Sequence, residues 1–90
     1  MTPQKSAALT SLKKTRGLME KIISMVESDR YCIDIMQQNL AAIGLLRSAH
    51  EMLMEGHLNS CFKSAFETKN VKKQKAMTDE ILKVTKLFNK

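Results

Sequence analysis

Cys32, Cys61, His50 and His57 are all the cysteines and histidines of this 90-residue chain, and they are its candidate soft-metal ligands. Cys32 defines zero on a helix advancing about 100° per residue. His50 then returns to about 0°, His57 falls near about −20° and Cys61 near about +20°. All four fall on one stripe, together with Met36 and Ile43. His57 and Cys61 stand one helical turn apart, so both can reach a single ion. An isolated pair of this kind is more often core, because a buried cysteine behaves as a small hydrophobe.

Cys32 changes that balance. Along a straight helix it lies about 37 Å from His57, at about 1.5 Å per residue. One helix cannot bring them together, but two helices packed antiparallel can. Setting Cys32 opposite residue 59 places a two-fold axis between Leu45 and Leu46, within the small and apolar segment Ala41-Ala42-Ile43-Gly44-Leu45-Leu46. Such an isologous dimer holds two identical sites. A break at Gly44 would instead fold the helix back within one chain. Helix hairpins, however, use loops of about two to five residues, and Gly44 stands alone between Ile43 and Leu45. Two thiolates and one imidazole form a soft three-ligand set that favours copper(I). Structural zinc would need a fourth ligand. His50 lies about 10 Å along the helix from His57 and is not a fourth ligand. The methionines are read as core filler. Cys32 falls in the first turn of its helix beside Arg30, a position that suits an anionic ligand.

The elements that must position these residues are all helical. Lys, Glu, Leu, Met and Ala dominate, Gly and Pro are scarce, and no β-branched run alternates over a strand's length. Thr2-Pro3 is a helix start, and Leu9, Leu12, Met19, Ile23 and Val26 give the stripe of a first amphipathic helix over residues 3–27, with Arg16 in its one gap. Ser28-Asp29 reads as the cap of a long helix over 29–66. Gly44 and Gly56 weaken that helix by about 1 kcal/mol each relative to Ala. Thr68-Lys69-Asn70 breaks the pattern, and Met77, Ile81, Val84 and Phe88 mark a third helix over 71–88. Lys72, Lys73 and Lys75 suit that helix's start poorly. The expectation is one all-α domain over residues 1–90.

The formal charge is +6, distributed as +3 over residues 1–30, −2 over 31–62 and +5 over 63–90. A polyanionic partner fits this pattern, although a solvated lysine surface would give it too. No apolar run has the length of a signal peptide or a membrane span, so a soluble, cytoplasmic protein with ligating or reactive thiols is expected. No nucleophile, base and acid group together and no phosphate-cradling glycine loop exists, so neither an enzyme nor a small-molecule substrate is expected.

The run Met25-Val26-Glu27-Ser28-Asp29-Arg30-Tyr31-Cys32-Ile33-Asp34-Ile35-Met36, followed by His57-Leu58-Asn59-Ser60-Cys61-Phe62, resembles the copper-sensitive operon repressor (CsoR) family. Leu12-Lys13-Lys14, Arg16-Gly17 and Asp79-Glu80-Ile81-Leu82 fit as well, and a few residues near Val71–Lys75 are extra. The resemblance implies an antiparallel homodimer pairing into a tetramer. It implies a repressor that holds operator DNA when metal-free and releases it on binding Cu(I). It places Cys32, His57 and Cys61 as metal ligands, with Tyr31 and Glu80 linking the ligand histidine to the third helix. The family usually has arginines that help bind DNA where this chain has Ser11 and Ser48. Lys13, Lys14, Arg16, Lys21 and Arg47 remain as DNA-binding candidates. Two other functions stay open: a copper buffer or carrier without specific DNA binding, and a persulfide or thiol sensor joining Cys32 to Cys61 of another chain.

Overall fold

The computed structural model describes residues 1–90, and every element in it is helical. Helix α1 runs Pro3–Glu27 and α2 runs Cys32–His57; a wide π turn follows over Leu58–Phe62, then α3 over Lys63–Glu67 and α4 over Val71–Phe88. The chain divides into two compact units, Met1–Gly56 and His57–Lys90.

Helix α1 starts as its sequence predicts. Pro3 occupies the first turn, and the Thr2 Oγ1 accepts a 3.1 Å hydrogen bond from the Lys5 amide. Its other end corrects the sequence reading. Ser28 and Asp29 do not cap a helix beginning at 29; they close α1. Asp29 takes a left-handed conformation at φ 55°, its amide donates to the Val26 carbonyl, and the Arg30 amide donates to the Met25 carbonyl. This paired arrangement satisfies carbonyls that the helix end leaves open, and aspartate tolerates the left-handed region better than most residues. Helix α2 therefore begins at Cys32, with the Tyr31 carbonyl accepting from the Asp34 and Ile35 amides.

In the first unit α1 and α2 form an antiparallel pair. The face α1 turns to α2 is not the stripe of large apolar residues. It is Gln4, Ala8, Ser11, Thr15, Leu18, Ile22 and Met25, all buried or half-buried, at alternating three- and four-residue steps. The facing line on α2 is Ile35, Gln38, Ala42, Leu45, Ala49, Met52 and Gly56. Small residues let the backbones approach so closely that the Ser11 Oγ donates a 2.9 Å hydrogen bond to the Leu45 carbonyl. Thr15 turns its hydroxyl back to the Ser11 carbonyl at 2.8 Å, which satisfies a polar group buried in the seam. The larger residues Leu9, Leu12, Met19, Ile23 and Val26 are 40–59% exposed.

Helical backbone passes through Gly44 without a break, which excludes the single-chain hairpin at that residue. Gly56 is not a weak point. A Cβ there would lie 2.9 Å from the Gln4 Cβ, so the absent side chain is what lets the start of α1 reach α2.

In the second unit α4 folds back over the segment before it. Thr68 and Lys69 end α3, with Lys69 left-handed at φ 56°. Asn70 caps α4, its Oδ1 accepting from the Lys73 amide at 3.1 Å. Ala65 is buried, the Phe62 and Phe66 rings lie 4.4 Å apart, and the Gln74 side-chain amide donates to the Phe66 carbonyl. Met77 and Ile81 continue that packed face, whereas Val84 and Phe88 are exposed.

Helix propensity alone predicts that Gly56→Ala stabilises the protein by about 1 kcal/mol. The Gln4 contact reverses the sign: the expected result is a loss of about 1–3 kcal/mol, read from urea unfolding followed by circular dichroism. An unchanged or raised midpoint would show that the seam has room at this point.

Candidate metal centre

Cys32 is the first residue of α2 and is exposed. Amides at that end have no intrahelical partner and point outward, which suits a negatively charged sulfur ligand. His57, the last residue of the same helix, is half-buried. Cys61 lies in the π turn, is exposed, and accepts a 3.8 Å contact from the Ser60 hydroxyl. Both cysteines are free thiols.

The face that α2 turns to α1 centres about 110° around the helix from the line of Cys32, Met36, Ile43, His50 and His57. The stripe of candidate ligands thus lies to one side of the seam, and Met36 and Ile43 on it are exposed. His50 is half-buried on the same line. No group of three His, Cys, Asp or Glu side chains able to hold an ion gathers within a single chain.

The π turn has almost no signal in the sequence. Its hydrogen bonds run from residue i to i+5, and such turns recur at functional sites. In regular α-helix Cys61 would advance about 40° past His57 over four residues. A wider turn reduces that advance and keeps the imidazole and the sulfur on one side. The only trace in the sequence is Asn59-Ser60, two modest helix formers between the candidate ligands.

Tyr31 and Glu80 are both exposed, and neither side chain makes a hydrogen bond within the chain. Tyr31 instead contributes its carbonyl to the start of α2, directly before Cys32. Lys13, Lys14, Arg16, Lys21 and Arg47 are exposed, but they do not form one line. On α1, Arg16 lies among the open apolar residues, while Lys14 and Lys21 share a line about 80° to the other side of the seam. Ser11 is buried and hydrogen-bonded between α1 and α2, so this position belongs to the helix seam and not to the outer surface. No helix is long and apolar enough to cross a membrane.

Comparison with known proteins agrees with this frame. The chain is 43% identical over 65 residues to a copper-sensing transcriptional repressor CsoR of Mycobacterium ulcerans, covering 72% of this chain and 56% of that relative. The chain thus spans little more than half the length of this relative. It is 33% identical over 87 residues to the copper-sensing transcriptional repressor CsoR of Bacillus subtilis, covering 97% of this chain and 83% of the other. Among solved structures it superposes on the copper-sensing repressor CsoR with Cu(I) from Geobacillus thermodenitrificans at a TM-score of 0.87 and 30% identity, covering all of this chain and 91% of that one. The family described as metal-sensitive transcriptional repressor matches residues 4–87, and a match over that much of the sequence, with the same fold, means that this chain belongs to that family.

Proposed function

We propose that this protein is a copper(I)-responsive transcriptional repressor, acting in the cytoplasm as one domain and without enzymatic activity. In this reading it binds operator DNA when metal-free and releases it when copper(I) binds. The observation that carries the reading is the position of the donors: a thiol at the first residue of α2, an imidazole at its last and a second thiol in the next turn. The donor set fits the ion. Two sulfurs and one imidazole are what copper(I) prefers, and neither sulfur is taken up in a disulfide.

Cys32 lies too far along α2 from His57 to share an ion with it in one chain, at about 1.5 Å of rise per residue. Cys32 of one copy and His57 and Cys61 of another complete the set if two α2 helices run antiparallel. The exposed residues Leu9, Leu12, Met19 and Ile23 on α1, with Met36, Leu40 and Ile43 on α2, supply apolar surface for a dimer and for a dimer of dimers. Tyr31 and Glu80, without partners inside the chain, are free to orient the imidazole once a second copy is present. Lys13, Lys14, Arg16, Lys21 and Arg47 supply phosphate contacts in this reading. Ser11 and Ser48, where the family usually carries arginine, favour a second reading, a copper carrier without specific DNA binding, because they leave no cation at those positions.

Two measurements test these proposals. Cys32→Ala and the double variant His57→Ala/Cys61→Ala should each lose tight copper(I) binding in anaerobic competition with a chelator. Mixing and refolding them together should restore a tight-binding fraction that neither has alone, because one intact site reforms across the mixed pair. No recovery would mean that the three ligands do not meet across chains. In a gel shift with the chain's own upstream DNA, one copper(I) per chain should weaken binding by about 5–150-fold, the usual range of coupling between two sites. Specific binding that copper leaves unchanged would remove the sensor reading, and no specific binding at moderate salt would leave the carrier.

A further inference from the structure

Helix α4 has a second face that the metal chemistry does not use. On the side opposite Gln74, Met77 and Ile81, the positions 72, 75, 79, 83 and 86 follow one another at steps of three or four residues. They hold Lys72, Lys75, Asp79, Lys83 and Lys86, and all five are exposed. The line extends about 21 Å at about 1.5 Å per residue.

An ordinary solvated helix face mixes charges of both signs, and pairs of opposite charge four residues apart support it. Here the only ion pair on the line is Lys75 with Asp79 at 3.3 Å, between two well-exposed side chains. Lys83 and Lys86 follow one another with no acid between them on that line, a spacing at which like charges repel. The helix start adds to the conflict. Lys72 and Lys73 occupy the first turn, where the helix dipole is positive, and no acidic residue is there to offset them. Lys69, just before the cap, holds a left-handed conformation that lysine seldom adopts. Lys86 suits the negative end of the dipole and Lys75 has Asp79, but the adverse choices at the start of the helix have no such offset and mark a surface shaped for something outside the chain.

We propose that the outer face of α4 is a phosphate-contacting surface that lies along the backbone of bound DNA, in addition to the cations of α1 and α2. A line of flexible ammonium groups spaced along a rod matches a regular array of phosphates, and such contacts position a duplex without reading its bases. The inference rests on the repressor reading, since it needs a protein that binds DNA.

The test uses the full chain with Lys72, Lys75, Lys83 and Lys86 each replaced by Gln, compared with the same four positions replaced by Arg. Fluorescence anisotropy with the upstream duplex and an unrelated duplex of equal length is followed across a range of salt. The Gln variant should bind both duplexes at least about 10-fold more weakly, and its salt slope should fall by about 0.9 for each phosphate left without its lysine. The Arg variant should keep the wild-type slope, and copper(I) stoichiometry should be the same in all three proteins. Circular dichroism checks the fold, and loss of helix in the Gln variant shifts the decision to single Gln replacements, each of which should reduce the slope. Wild-type affinity and slope in the Gln variant would overturn the proposal while leaving the repressor reading intact. A variant that keeps DNA binding but loses binding to anionic phospholipid vesicles would overturn it in favour of a lipid surface. A wild-type protein that binds neither duplex would sink both.

Discussion

The close approach of α1 and α2 governs what the rest of this chain can do. Ser11 reaches the Leu45 carbonyl, and Gly56 leaves room for Gln4, only because small residues line the seam. Small residues pack tightly, but each removes little apolar surface from water. The larger side chains of both helices are thereby left outward, at exposures that lone soluble domains seldom sustain in continuous stripes. The same seam leaves Cys32, Met36 and Ile43 exposed. Intrachain packing and the display of this line therefore have one cause, the use of small residues where two helices of one chain meet.

Much of this is legible in the sequence, and the failures have physical causes. Thr2-Pro3 marks the start of α1 through its own side chain and ring, whereas Asn70 reads in the sequence only as part of a polar break, because the lysines after it suit a helix start poorly. The shared face of Cys32 and His57 follows from helical periodicity, which holds throughout α2. Ser28-Asp29 misleads because both residue types serve equally at helix starts and in left-handed closing turns, and only backbone geometry separates the two. The stripe of Leu9, Leu12, Met19, Ile23 and Val26 is plainly apolar, but hydrophobicity does not say which chain will cover it. Gly56 looks like a flaw because propensity describes an isolated helix and not its neighbour. The residues of the π turn are compatible with α-helix as well, and the modest helix formers Asn59-Ser60 are too weak a trace to distinguish the two.

The candidate site shows the same division. Residue type and spacing single out candidate donors and the kind of ion they would suit. They do not reveal that Tyr31 contributes through its backbone, that Ser11 is enclosed, or that the cations of α1 point along separate lines. Those features depend on which side of each helix is already occupied.

The connection between α1 and α2 has a further consequence. It is four residues long, contains no glycine, and is tied by the Asp29 and Arg30 amides to carbonyls of the last turn of α1. Cys32 follows it at once, so the thiol sits on a joint with almost no slack. A force applied at that sulfur cannot be absorbed by a yielding loop. It passes into the axis of α1, whose far end rests on Gly56, the residue before His57, and so the pair of helices behaves less like a hinge than like a stiff yoke.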